Sequence, residues 1–373
     1  MDDTHLMARR RRRDAPLAGG AASLAAGLLY AASLAGCGGS GSSPHAAGRL
    51  WYAGRALCSF TQAQLERSDQ SNPAISITSD AAAAAFGDLA LDGNGDVWAV
   101  DSAGDQILRF PASSLDGVES ATPDLVIRSD AFHSPGNLVF DGDGGLWVAN
   151  CPATEDARPC AGFILRFDAP GSLTGTQSLS PSLSLRSEAP DDLSGLGAIA
   201  FDASGNLWAT SLAGAVRFED PRSLSGDVAL APYAVIQNSG YTSPWSWSPQ
   251  PANVSFFMIA FDSSGALWAA AQTTGFYLSS VMKFANPESL RGSSSPAPAA
   301  VIIGEPDLLP AGGMAFDPQG NLWLATADAI LQYAEPGELT GEVNPTPAVT
   351  LGVFNECSPS LYGHLVLFPA PSR

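Results

Sequence analysis

One pattern recurs along this chain, and it narrows the available folds more than any other feature. Leu89-Ala-Leu-Asp92 leads to Gly95-Asp-Val-Trp98, and Leu138-Val-Phe-Asp141 leads to Gly145-Leu-Trp147. Ile199-Ala-Phe-Asp202, Ile259-Ala-Phe-Asp262 and Met314-Ala-Phe-Asp317 lead in the same way to Trp208, Trp268 and Trp323. Leu50-Trp51 is a sixth copy that lacks its first half. The Trp-to-Trp spacings are 47, 49, 61, 60 and 55 residues. A period of this size marks stacked supersecondary units. With 38 Gly and 28 Pro in 373 residues, turns are frequent and long helices few.

Each unit reads as a four-stranded antiparallel meander. Strand A is the apolar run ending in Phe-Asp. The Asp-x-x-Gly that follows is a hairpin turn, in which Asp bonds the turn backbone and Gly takes a positive φ. Strand B carries the Trp, and strand C ends at Phe60, Phe110, Phe167, Phe218, Phe284 or Tyr333. A Leu follows five or six residues later in each copy, and a short β-branched or Leu run forms strand D. A unit apolar on both faces cannot bury itself alone. Radial stacking buries both faces, which predicts an all-β, six-bladed β-propeller over residues 49–373. The Phe-Asp-x-x-Gly-Asn-Leu-Trp core resembles the NHL family and its gluconolactonase-like and streptogramin-lyase-like relatives. That resemblance implies the fold; the same fold hosts both enzymes and binders.

The ends suggest how the ring closes. The N-terminal side supplies only strands B, C and D of the first blade. Gly363-His-Leu-Val-Leu-Phe368 matches the strand A of Gly136-Asn-Leu-Val-Phe140 and is expected to complete that blade. Leu367-Phe368-Pro-Ala-Pro also resembles the end of a strand C; the open first blade favours closure by strand A.

The first 48 residues read as an address. Arg9 to Arg13 form a basic segment, and Leu17 to Gly36 carry no charge. Leu34-Ala35-Gly36-Cys37 resembles the bacterial lipobox, which implies a signal peptide over 1–36, an acylated Cys37 and a flexible tether over 37–48. An uncleaved membrane helix is the competing reading. The residue after the cysteine is Gly38, which by the same analogy fits an outer-membrane or cell-surface destination. The leader holds five of the 18 basic and three of the 37 acidic residues, so the remainder has 13 and 34, net −21. Such a surface disfavours nucleic acid and anionic lipid, leaving the anchor as the membrane contact.

Cys37 aside, four cysteines remain, and an oxidising compartment suggests two disulfides. Cys151 and Cys160 share one insertion between strands B and C of the third blade. Cys58 and Cys357 are then left, on loops expected on one face; the alternative is two unpaired thiols.

Propellers usually bind ligands on the face carrying the D–A and B–C loops, and three features fall there. An acid follows strand D in four blades: Asp80, Asp130, Glu188 and Glu305. These acids either converge on a cation or basic ligand, or stay solvated at strand ends. The position leading into strand A is His364, Asp88 and Asn137 in three consecutive blades, then Ala198, Met258 and Gly313. That trio, with His133 nearby, suits a divalent cation such as calcium at the channel mouth, or ordinary polar capping. The insertion Asn238 to Asn253 holds Tyr241, Trp245 and Trp247, which suit stacking on a glycan, cation or partner protein, or packing as a lid. Asp92-Gly-Asn-Gly-Asp96 begins like a calcium loop, but its twelfth position is Ala103, so it reads as a turn.

Together these features predict a membrane-tethered, extracytoplasmic, monomeric propeller that binds a protein, glycan or small molecule. The alternative is a metal-dependent hydrolase or lyase acting on a lactone or cyclic ester. Only His133 and His364 are available to the domain, which weighs against acid–base chemistry near neutral pH.

Overall fold

The computed structural model describes residues 49–68, 72–78, 86–101, 103–115, 120–152, 160–237, 254–273, 279–303, 310–326, 329–352, 357 and 365–368. The chain divides into two units, Met1–Ser42 and Ser43–Arg373. The leader, Cys37 and the tether lie outside the described residues. No helix among the described residues is long and apolar enough to cross a membrane.

Residues from Arg49 onward form six sheets, each built on four antiparallel strands. Blade 1 joins Leu365–Phe368 to Arg49–Ala53, Leu57–Phe60 and Ile75–Ile77. The C-terminal strand pairs antiparallel with the first, Leu50 facing Leu367 and Tyr52 facing Leu365. This is the closure expected from the sequence. Blade 2 is Leu89–Leu91, Val97–Asp101, Gln106–Phe110 and Leu125–Arg128. Blade 3 is Pro135–Phe140, Leu146–Asn150, Phe163–Phe167 and Leu183–Ser187. Blade 4 is Ile199–Phe201, Leu207–Ser211, Gly214–Phe218 and Ala234–Gln237. Blade 5 is Val254–Phe261, Leu267–Thr273, Ser279–Phe284 and Ala300–Ile303, and blade 6 is Pro310–Phe316, Leu322–Thr326, Ala329–Tyr333 and Val349–Gly352.

The Phe-Asp…Trp repeat explains why each blade forms and why it sticks to the next. In blade 4, Asp202 Oδ1 accepts the backbone N–H groups of Ser204 (2.9 Å) and Asn206 (3.0 Å), which closes the A–B hairpin. Its Oδ2 accepts the indole N–H of Trp208 at 3.1 Å, so the buried ring loses no hydrogen bond. The same Asp-to-Trp bond recurs from Asp92, Asp141, Asp262 and Asp317 at 2.8 to 3.0 Å. The turn glycine takes the left-handed conformation that a side chain resists, for example Gly205 at φ +84°. Held in this way, Trp98, Trp147, Trp208 and Trp268 meet the strand-A Phe of the following blade edge-on, with ring centroids 5.3 to 6.1 Å apart.

Two further fasteners join neighbouring blades. A cation on strand C lies over its own blade's Trp: Arg109, Arg166, Arg217 and Lys283, each 5.5 or 5.6 Å from the ring centroid. Each then donates to carbonyls of the 3-10 turn in the next blade. Arg109 reaches Leu173 O (2.9 Å), Arg166 reaches Arg222 O (2.5 Å), Arg217 reaches Glu288 O (2.9 Å) and Lys283 reaches Gly337 O (2.7 Å). After that turn the chain crosses to the outer edge of the preceding blade as a short parallel strand. Gly175–Ser178, Gly226–Leu230, Gly292–Ser294 and Gly341–Val343 cover blades 2, 3, 4 and 5 respectively.

Arg217 is 2% exposed, and its chain and head are enclosed by Trp208, Tyr233 and the blade 5 carbonyls. Arg217→Ala is expected to cost about 3 kcal/mol, from lost charge-assisted hydrogen bonds and ring contacts. Arg217→Lys should retain about half of that. Urea denaturation of the full chain measures both; an alanine variant within about 0.5 kcal/mol of the parent would show the fastener to be idle.

Candidate functional site

The D–A and B–C loops share one end of the ring, opposite the A–B turns and their Asp–Trp bonds. Two of the polar residues expected at this end, Asp88 and Asn137, are buried at 2% and 8% exposure. Asn137 lies on the first strand of blade 3, and Asp88 immediately precedes the first strand of blade 2. Asp88 Oδ2 accepts the side-chain N–H of Asn137 at 2.6 Å and also the backbone N–H of Leu138. Asn137 Oδ1 in turn accepts the backbone N–H of Ile199 in blade 4 at 2.7 Å. A relay of hydrogen bonds therefore runs from blade to blade around the channel. It ends where Ala198 replaces the polar side chain and donates its own N–H to Thr210 Oγ1 at 2.8 Å. Asp88 and Asn137 are thus hydrogen-bonded across adjacent blades. His364, the third member of the trio, lies outside the described residues.

Replacing Asp88 by Ala removes the acceptor for two buried donors. The expected cost is about 2 to 4 kcal/mol of stability, read by urea denaturation, because buried donors without partners are expensive. A loss under about 0.5 kcal/mol would mean that these bonds carry no load.

The acids after strand D behave differently. Asp130 and Glu188 are exposed. Asp80 and Glu305 lie outside the described residues, as do Tyr241, Trp245 and Trp247. Among the described residues no group of three or more His, Cys, Asp or Glu side chains is placed to hold a metal ion. His133 is exposed; its backbone N–H donates to Asn150 Oδ1 at 2.9 Å and its Nδ1 lies 3.1 Å from Ala131 O.

Sequence reading missed a second polar ring at this end. Three residues beyond the strand-B Trp stand Asp101, Asn150, Ser211 and Thr326, all buried. Asp101 accepts Gly104 N–H (3.0 Å) and the Gln106 side-chain amide (2.9 Å). Ser211 Oγ accepts Ala213 N–H at 3.2 Å, and Thr326 Oγ1 exchanges bonds with Ala329. Asp101, Ser211 and Thr326 each close the B–C turn of their own blade, whereas Asn150 accepts the His133 N–H of the loop entering blade 3. Trp-x-x-polar was legible as a repeat, and the need of a tight turn for a local acceptor is the reason for it.

Both disulfides expected from the cysteine positions form. Cys151–Cys160 closes the blade 3 insertion with Cα atoms 5.4 Å apart. Cys58–Cys357 joins the ends of the domain across 299 residues with Cα atoms 6.0 Å apart.

No protein-family description and no curated protein matches the chain. Similar solved structures include the extracellular domain of a one-component system from Bacteroides thetaiotaomicron, at 16% identity and TM-score 0.44 over 77% of this chain. The chain spans 33% of that structure's length. A protein of unknown function from Bacteroides caccae is 12% identical with TM-score 0.48, over 86% of this chain and 99% of its own. A streptogramin B lyase is 15% identical with TM-score 0.38, over 87% and 89%. Likenesses of this size assign neither ligand nor activity. What the pairing of the strands themselves establishes is the architecture: this chain is an all-β, six-bladed β-propeller closed by its C-terminal strand.

Proposed function

We propose that the chain is an exported propeller, anchored to the bacterial envelope through lipid on Cys37, that acts as a binding scaffold on its D–A and B–C loop face. The observation that carries the scaffold reading is the Asp88–Asn137–Ile199 relay. It commits two of the best ligand candidates to holding the inner strands together. Two buried or half-buried disulfides support an oxidising compartment, in agreement with the basic leader and the Leu34-Ala-Gly-Cys37 sequence. The contact surface is assigned to the aromatic insertion holding Tyr241, Trp245 and Trp247, a composition suited to glycans or a partner protein. The acids Asp80, Asp130, Glu188 and Glu305, which the sequence pattern assigns to that face, would favour a basic or cation-bearing ligand.

Two experiments test this reading. Cells expressing the chain are labelled with an alkyne fatty acid, and the protein is partitioned between detergent and water. Label and detergent partitioning should both be lost in Cys37→Ser; a variant still labelled overturns the anchor. Equilibrium dialysis of the protein against calcium and zinc, followed by elemental analysis, addresses the scaffold. One tightly held ion per chain that is lost in His364→Ala would overturn it in favour of metal chemistry.

A further inference from the structure

The two joints that blade 1 makes, with blade 6 and with blade 2, are built unlike the others. Joints 2/3, 3/4, 4/5 and 5/6 each have a cation on the Trp ring and a parallel strand across the outer edge. In blade 6 the cation position, opposite Trp323, is Gln332. Among the described residues no parallel strand covers Val349–Gly352. The blade 1 connector is instead the short helix Gln62–Leu65, followed by Ser68, whose Oγ accepts Thr350 N–H at 3.1 Å. The cation position in blade 1, at its joint with blade 2, is Ser59, opposite Trp51.

The joint with blade 6 also holds a group that gains nothing from being closed. The Tyr52 hydroxyl, within the apolar cluster of this joint, is fully buried and has no hydrogen-bond partner among the described residues. Burial pushes the Tyr52 hydroxyl well above its usual range. Buried oxygens without partners favour an open, hydrated state. What opposes opening is an apolar cluster around Leu50, Trp323, Leu351 and Leu365, the pairing of the closing strand, and the Cys58–Cys357 bond. Apart from the main chain, that bond is the one covalent link at the joint among the described residues.

We infer that Cys58–Cys357 is a redox latch. While oxidised it holds the ring shut. On reduction, the Leu365–Phe368 strand is released from Arg49–Ala53, while blades 2 to 6 stay fastened to one another. The reductant is a dithiol. One of its thiolates attacks a protein sulfur and forms a mixed disulfide. Its second thiol then displaces the protein thiol, so two electrons and two protons pass to Cys58 and Cys357 and the dithiol leaves as a cyclic disulfide. Both cysteines are buried, Cys58 at 0% and Cys357 at 2% exposure, so the dithiol reaches the bond only in brief local fluctuations and the released state follows reduction. The inference stands apart from the anchor and from the identity of any ligand.

The test is hydrogen exchange by mass spectrometry on the full chain, oxidised and after dithiothreitol, with alkylation used to confirm which cysteines are free. Cys151→Ser with Cys160→Ser serves as the background, so that only one bridge changes. Amides in Arg49–Ala53 and Leu365–Phe368 should exchange at least about 100-fold faster after reduction, and those in Leu207–Ser211 should stay within about 3-fold. Uniform acceleration in every blade overturns the inference, because the bond would then act only on global stability. No acceleration at either segment overturns it as well. Tyr52→Phe provides an independent measurement: removing the unpartnered hydroxyl should slow exchange of the reduced joint about 5-fold, and an unchanged or faster rate contradicts the inference.

Discussion

Asp202→Ala should cost the propeller about 3 to 5 kcal/mol, among the largest losses expected of any single substitution outside the cysteines. Asp202 accepts two backbone N–H groups of its turn, the Asn206 amide and the indole N–H of Trp208. Trp208 is fully buried, so its N–H has no water to turn to. The turn groups are more open and recover part of their loss. The indole also sets the ring that meets Phe261 of blade 5 and carries Arg217, so the damage spreads to the joint. Asp202→Asn should fall between alanine and the parent, at about 1 to 3 kcal/mol, because one oxygen still serves the turn while an amide N–H faces the indole N–H. Asp143, exposed on the equivalent turn of blade 3, is the control, and Asp143→Ala should change stability by less than about 0.5 kcal/mol. Urea denaturation measures all three. If Asp202→Ala and Asp143→Ala prove equal, the Asp–Trp bond is not what holds the blades.

The same residues show how far the sequence could be read. Phe-Asp-x-x-Gly-x-Leu-Trp specifies its own hairpin through local hydrogen bonds, so strands A and B could be located without knowing the neighbours. Ring closure was legible because blade 1 lacked one strand and the C-terminus offered one. The fifth strand of blades 2 to 5 was not anticipated. Its signal, Leu-x-Gly at Leu173-Thr-Gly175, Leu224-Ser-Gly226, Leu290-Arg-Gly292 and Leu339-Thr-Gly341, repeats plainly. Yet the segment pairs with a different blade, and nothing local to it announces a distant parallel partner. The cation before the aromatic of strand C is similar: Arg109, Arg166, Arg217 and Lys283 alternate with apolar residues like any surface charge. Only the neighbouring blade turns them into buried fasteners. Asp88 and Asn137 show the converse. Their polar character was evident, but whether they face a ligand or each other depends on inter-blade register, which a repeat alone does not encode.

The cysteine pairs allow a quantitative contrast between two bonds of the same kind. The chain-entropy argument scales with the loop closed, so Cys58–Cys357, at separation 299, should contribute about 5 to 6 kcal/mol. Cys151–Cys160, at separation 9, should contribute about 2.5 kcal/mol. Cys58→Ser with Cys357→Ser should therefore lower stability about twice as much as the blade 3 pair. The manner of the loss is more telling than its size. A bond that only restricts the unfolded chain leaves unfolding cooperative, and the van't Hoff and calorimetric enthalpies stay equal. If the joint opens on its own when the bond is absent, blade 1 leaves first and the two enthalpies separate. The blade 3 pair lies within one blade and should keep them equal in either case. Gly313 supplies a second route to the same state. A Cβ there would lie 2.7 Å from Leu365 Cβ and 3.1 Å from Ala325 Cβ, so Gly313→Val should push the closing strand outward even in the oxidised protein. With the bridge intact, the strand remains tethered through Cys357 and the transition should stay single. With the bridge reduced, Gly313→Val should split it further. Equal enthalpies in the reduced Gly313→Val protein would mean that blade 1 is held by the whole ring rather than by its latch.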